Sequence, residues 1–242
     1  METVKNRIVI KVGTSTITTE TGENNFRTMD KLAQVLSGLA NEGYEVILVS
    51  SGAIAVGANK MGLQQKPKEL KLKQAAASVG QCELMHLYDK FFSEYGKMVS
   101  QILLSGDDVE NPVKKQNLRN TFFTLIEHNI IPIVNENDSI SSTEIENEKK
   151  LFSDNDTLSA IVAILTKASK LILLSDIDGL YSEDPSSGSN RGTGGMVSKL
   201  DAAEMVTSKG IDMVIAHGSK PEKIFDIMDG KEIGTFFKGT EL

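Results

Sequence analysis

The chain of 242 residues has one cysteine, no tryptophan and no excess of positive charge. Cys82 has no second thiol to pair with, so an intramolecular disulfide is excluded and a reducing cytoplasm is the expected home. Its neighbours Val79, Leu84 and Met85 suggest a helix on which the thiol is a small buried apolar group rather than a nucleophile. Lysine and arginine number 26 against 33 aspartates and glutamates, a formal charge of −7 spread along the chain. That argues against a nucleic-acid partner, which needs a clustered positive footprint. No apolar run approaches the ~18–20 residues of a membrane span, and no membrane association is expected. The N-terminus enters a strand pattern too early for a signal peptide.

Familiar motifs are missing as well. There is no GxxxxGK[ST] phosphate loop, and no GxGxxG follows the first strand pattern, which removes the main support for a dinucleotide fold. His86, His128 and His217 are scattered, and no Cys/His cluster has metal-ligand spacing. No serine stands in a GxSxG elbow.

What is present is a regular alternation. Runs rich in Val and Ile recur at Arg7–Val12, Glu45–Ser50, Met98–Leu104, Ile130–Asn135, Lys170–Ser175 and Asp212–Ala216. They are nearly continuous, as strands covered on both faces are. Between them Leu32, Val35, Leu36 and Leu39 form a helical stripe that Gly43 ends. Leu118, Phe122, Leu125 and Ile126 form a second, and Leu158, Ile161, Val162 and Leu165 a third. Pro221 is placed to open a short further helix. Pro132 suggests a strand end, an edge or a bulge. The pattern predicts an α/β domain with a mainly parallel sheet and helices on both faces.

Ligands of such sheets bind beyond the carboxyl ends of the strands. The segments found there are Lys11-Val12-Gly13-Thr14-Ser15, Ser50-Ser51-Gly52-Ala53, Asn135-Glu136-Asn137-Asp138, Ser175-Asp176 and His217-Gly218-Ser219. Lys11 with Gly13 forms one lysine–glycine element. Gly192-Thr193-Gly194-Gly195-Met196-Val197-Ser198-Lys199, just before a helix with Leu200, Ala203 and Val206 on one face, forms another. Two cations and two sets of backbone N–H groups suit a transferring phosphoryl group. The clusters 135–138 and Asp154-Asn155-Asp156 could hold an α-ammonium group and align the lysines; Asp156 could equally be a helix N-cap. A carboxylate substrate is already a nucleophile, so positioning and charge neutralisation suffice.

The ordered blocks IVIKVGTST (8–16), VSSGAIAVG (49–57), KQAAASVGQ (73–81), PIVNENDSI (132–140), FSDNDTLSA (152–160), LSDIDGLYSEDP (174–185), GTGGMVSKL (192–200) and AHGSKPEKI (216–224) resemble the amino-acid kinase family. The resemblance is specifically to its branch that phosphorylates the side chain of free glutamate to open proline synthesis. It implies a three-layer αβα sandwich, ATP and L-glutamate as substrates, and Mg²⁺ held mainly through the phosphates. Lys11 and Lys199 would stabilise the transferred group, and Asp156 would orient them. Gly13, Ser175, Asp176 and the stretch Thr193, Gly194, Gly195, Met196, Val197, Ser198 would join those lysines in holding ATP. Ser51, Gly52, Ala53, Asn135, Asp138, Asp154 and Asn155 would form the glutamate site, the acids at 138, 154 and 156 facing its ammonium group. An N-acetylated substrate would leave that acidic pocket uncompensated. A homo-oligomer (dimer or tetramer) and feedback inhibition by proline are also implied.

The resemblance implies a single catalytic domain over 1–242 without the C-terminal PUA domain of many relatives. Ser153 stands where the family has glycine, and the stretch from Asp184 to Gly192 is shorter than usual. Other carboxylate or carbamate kinases, and a binding protein without turnover, stay open as alternatives at this stage.

Overall fold

Central strands buried on both faces decide how this chain layers. The computed structural model describes residues 3–19, 21–140, 154–177, 179 and 193–240. All six Val- and Ile-rich runs are strands: β1 (Val4–Val12), β2 (Glu45–Ser50), β3 (Met98–Leu104), β4 (Ile130–Glu136), β5 (Ala168–Ser175) and β6 (Asp212–His217). They form one sheet in the order β3-β4-β2-β1-β5-β6-β7, where β7 (Thr235–Phe237) is an edge strand too short to carry a hydrophobic period. Every pairing is parallel except β6 with β7.

Helices among the described residues are α1 (Thr14–Ile17), α2 (Phe26–Asn41), α3 (Ala53–Lys60), α4 (Leu70–Glu94), α5 (Gly106–Glu110), α6 (Pro112–Glu127), α7 (Asn155–Thr166), α8 (Thr193–Thr207) and α9 (Lys223–Met228). Ile8, Ile10 and Val12 of β1 and Ile172 and Leu174 of β5 pack with α2, α4 and α9. Val9 of β1 and Leu171 and Leu173 of β5 pack with α6, α7 and α8 on the opposite face. Period-two strands buried on both sides produce the three αβα layers.

Local chemistry sets the helix ends. Asn25 accepts the Thr28 N–H at the start of α2, and Gly43, at φ 92°, follows its end in the left-handed region that glycine tolerates. Asn111 accepts the N–H groups of Val113 and Lys114, with Pro112 in the first turn of α6, where its missing N–H costs nothing.

Four expectations need correction. Cys82 is exposed: Gly80, Leu84, Leu87 and Tyr88 form the buried stripe of α4, and two residues past Gly80 a side chain points to the other side of the helix. Pro132 lies inside an interior strand, not at an edge; β2 pairs with β4 only at Leu48–Ile133 and Val49–Val134, so that ladder starts just after the proline. Pro221 precedes α9 in a turn where its carbonyl accepts the Ile224 N–H. Leu200 is 46% exposed, whereas Ala202, Ala203 and Val206 are buried on α8.

Two features place the site. Helices that follow β1 and β2 pack on one face and those that follow β4 and β5 on the other, so the chain parts at the carboxyl ends of β1/β5 and of β2/β4. Crevices of that kind receive ligands in open α/β sheets. Also, α3 and α4 touch backbone to backbone: a Cβ on Gly57 would overlap the Ala76 carbonyl, and one on Gly80 the Ala53 carbonyl. This contact seats the loop after β2 against α4. Gly80→Ala is expected to cost about 2 kcal/mol as overpacking and to lower the melting midpoint by about 6 °C, read by thermal denaturation.

Candidate active site

Three charged side chains meet behind the parting of β1 and β5. Lys11 is the last residue but one of β1's buried run, Asp156 lies in the first turn of α7, and Lys199 in the second turn of α8. Lys11 Nζ stands 2.6 Å from Asp156 Oδ1. Asp156 Oδ2 accepts a hydrogen bond from Lys199 Nζ at 3.0 Å and another from the Ser198 hydroxyl at 3.2 Å. Asp156 is 3% exposed and each lysine 8%, so all three charges are withdrawn from water. Burial penalises the ionised carboxylate, but the two ammonium groups outweigh it and hold the Asp156 carboxyl below its ordinary pKa. Two cations sharing one anion leave a positive charge uncancelled, which a phosphate would complete.

The glycine element differs from its expected form. Thr193 opens α8, so Gly194 and Gly195 belong to its first turn and do not precede the helix. Gly195 gives its carbonyl to Lys199 Nζ at 3.2 Å, which fixes the lysine along its own helix. Met196 is half-buried and Val197 exposed beside them. Gly13 borders α1, and a Cβ there would lie 3.7 Å from Lys11 Nζ, an ordinary contact distance.

Asp154, not Asp156, is the cap of α7: its Oδ1 accepts the N–H groups of Asp156 and Thr157 at 3.0 and 3.1 Å. Backbone N–H groups thus hold the Asp154 carboxylate, and the two lysine ammonium groups hold that of Asp156. Asn155 donates from Nδ2 to Ser51 Oγ at 2.7 Å, tying the loop after β2 to α7, while its buried Oδ1 has no hydrogen-bond partner among the described residues. Gly52 has φ 99°, a conformation that favours glycine, and a Cβ there would press on Ile17.

Beyond β2 and β4 opens a cavity of about 380 Å³. Its wall includes Ala53, Gln81, Cys82, Gln101, Glu136 and Asp138. Asn135, 1% exposed, does not line it but donates from Nδ2 to Gln81 Oε1 at 3.0 Å. Glu136 belongs to the acid–amide cluster 135–138, whereas Gln81 and Cys82 had no signal in sequence as cavity residues; Gln81 joins through the α3–α4 contact beside Gly80. On the other side of the sheet's parting, the Ser175 hydroxyl donates to Asp176 Oδ1 at 3.0 Å, and the Ser175 carbonyl accepts the Gly218 N–H at 2.7 Å. A second cavity of about 490 Å³ lies nearby, bordered by His217, Ser219, Lys220 and Lys223. Among the described residues no group of three or more His, Cys, Asp or Glu is arranged to hold a metal ion. No described helix is long and apolar enough to cross a membrane.

Residues 6–217 match the amino acid kinase family. The chain belongs to that family. A glutamate 5-kinase of Clostridium perfringens is 52% identical, the alignment covering 96% of this chain and 94% of the relative. One from Listeria monocytogenes is 49% identical, with 98% and 95% covered. An isopentenyl phosphate kinase structure from T. acidophilum superposes with a TM-score of 0.66 at 21% identity, covering 95% of this chain and 99% of that one. A Giardia carbamate kinase gives 0.67 at 16%, covering 98% and 100%. These structures share the fold of this chain, whose seven-stranded sheet is mostly parallel. Ser153 and the short stretch from Asp184 to Gly192 lie outside the described residues. The Clostridium alignment extends over 255 positions, more than the 242 residues here, so parts of that relative have no counterpart.

Asp156→Asn removes the anion that lies between two buried ammonium groups and is expected to cost about 3 kcal/mol at neutral pH. Because the folded pKa is depressed, the Asp156 contribution is full above the ordinary value of 3.8 and is lost as pH falls through the lower folded value. Urea denaturation should show parent and variant converging in acid. A stability gap constant with pH would reject the pairing as the cause.

Proposed function

We propose that the chain transfers the γ-phosphate of ATP to the side-chain carboxylate of L-glutamate, giving L-glutamyl 5-phosphate and ADP, the glutamate 5-kinase reaction that starts proline synthesis. Phosphoryl transfer is carried by the Lys11–Asp156–Lys199 cluster. The choice of glutamate is supported by relatives named for that activity at about half identity over nearly their whole length.

In this reading a carboxylate oxygen attacks the γ-phosphorus, forming one P–O bond as the bond to the β,γ-bridging oxygen breaks and ADP leaves. The attacking group is already ionised, so no side chain has to take a proton. Lys11 and Lys199 neutralise charge spreading over the transferred oxygens, and Asp156 keeps the two ammonium groups from repelling each other out of line. Ser198 holds the carboxylate of Asp156 rather than ATP directly. Gly13, Thr193, Gly194, Gly195, Met196 and Val197 would border the phosphates, and Ser175, Asp176 and the cavity beside Lys220 would take the rest of the nucleotide. Mg²⁺ would arrive on the phosphates, in keeping with its preference for oxygen ligands and retained waters.

Glutamate would lie in the 380 Å³ cavity, its ammonium group toward Glu136 and Asp138. Ser51, Gly52, Ala53, Asn135 and Asn155 would receive its polar ends, and the unpartnered Asn155 Oδ1 is an acceptor such a ligand could satisfy. Asp154 would support this site by capping α7. Proline, which keeps the α-carboxylate and α-nitrogen of glutamate, would compete for the same cavity, and the working form would be a homo-oligomer.

With ATP, Mg²⁺ and hydroxylamine, purified protein is expected to form the hydroxamate of free glutamate but not of N-acetylglutamate or aspartate. Preference for either of those would overturn the substrate assignment. Lys199→Ala should lower kcat at least about a hundredfold while the thermal transition stays cooperative. Near-parent turnover would remove Lys199 from the mechanism.

A further inference from the structure

The largest cavity described here is not at the carboxyl ends of the strands. It is a groove of about 720 Å³ on the helical layer formed by α6, α7 and α8. Ile161 and Ile164 of α7, Val109 of α5 and Met205 of α8 make its apolar floor. Lys115 and Arg119 of α6 and Lys167 just past α7 stand around it, against one carboxylate, Glu110. Ion pairs among the described residues include none of these three cations. Arg119 stacks over the Phe123 ring at 5.6 Å, and its Nε has no hydrogen-bond partner among the described residues. Arg119 as a whole is only half-buried, and the planar fork of N–H groups on a guanidinium matches a carboxylate best.

We propose that this groove is a second binding site, separate from the kinase centre, for a small amphipathic carboxylate. An apolar tail would lie on Ile161, Ile164 and Met205, and the carboxylate would accept from Arg119 with Lys115 and Lys167 near. The volume lies within the range of small-molecule sites, which pair an apolar lining with a few placed polar groups. The overall charge of −7 makes a locally cationic apolar groove unusual on this surface. The site does not depend on the kinase reading, because binding can be measured without turnover.

The test is calorimetric titration of the full chain with octanoate, with octylammonium as the control of opposite charge. One saturable octanoate site per chain is expected, unaffected by saturating glutamate and not shared by octylammonium. Arg119→Met and Ile164→Glu should each weaken octanoate at least tenfold. Lys115→Gln, an exposed change that leaves the Phe123 stack alone, should weaken it several-fold in a protein of parent stability. Equal binding of octylammonium would overturn the proposal, as would parent-like octanoate binding by the variants. Displacement by glutamate would move octanoate to the 380 Å³ cavity and equally overturn it. If Ile164→Glu changes the sedimenting mass, the groove is a contact between copies and the ligand site falls.

Discussion

A single buried carboxylate shared by two ammonium groups organises this protein. Asp156 alone would be too costly to bury ionised, and Lys11 and Lys199 would repel each other without it. The three come from β1, α7 and α8, so the arrangement exists only when the sheet and one helical layer are assembled. Asp154 fixes where α7 starts, Gly195 fixes where Lys199 points, and Ser198 holds the remaining carboxylate direction. The electrostatic centre is thus built from several backbone decisions made far apart in the chain.

Much of the architecture was legible beforehand because buried parallel strands leave continuous apolar runs, and α2 and α7 carry clean stripes. What escaped has physical reasons. β7 has three residues, fewer than any period needs. The long α4 is only weakly one-sided, so Cys82 could not be assigned a face from its neighbours. Lys11, Asp156 and Lys199 could be picked out as chemistry-bearing residues, but nothing local tells that one anion sits between two cations 43 and more residues away. Asp154 and Asp156 are the sharpest case. Two positions apart on a helix start, one turns back to cap the backbone and the other turns to the lysines.

The amino acid kinase fold explains why relatives with different substrates can share this frame. The αβα layers are shared with the matched kinase structures, whereas in this chain the 380 Å³ cavity is walled chiefly by α4, β3 and the segment after β4, apart from the lysine–aspartate centre. Gln81 illustrates the division: it braces buried Asn135 from the cavity side and touches neither lysine.

The contact of α3 with α4 through Gly57 and Gly80 leaves no slack between the two helices. Ala53 and Ala77, on opposite sides of that contact, therefore belong to one stiff wall of the cavity. No room can be gained on that side of the cavity, because any outward shift of one helix carries the other with it. Enlargement has to come from Gln101, Leu103 and Ser139, where the opposite wall is made of a strand and a loop.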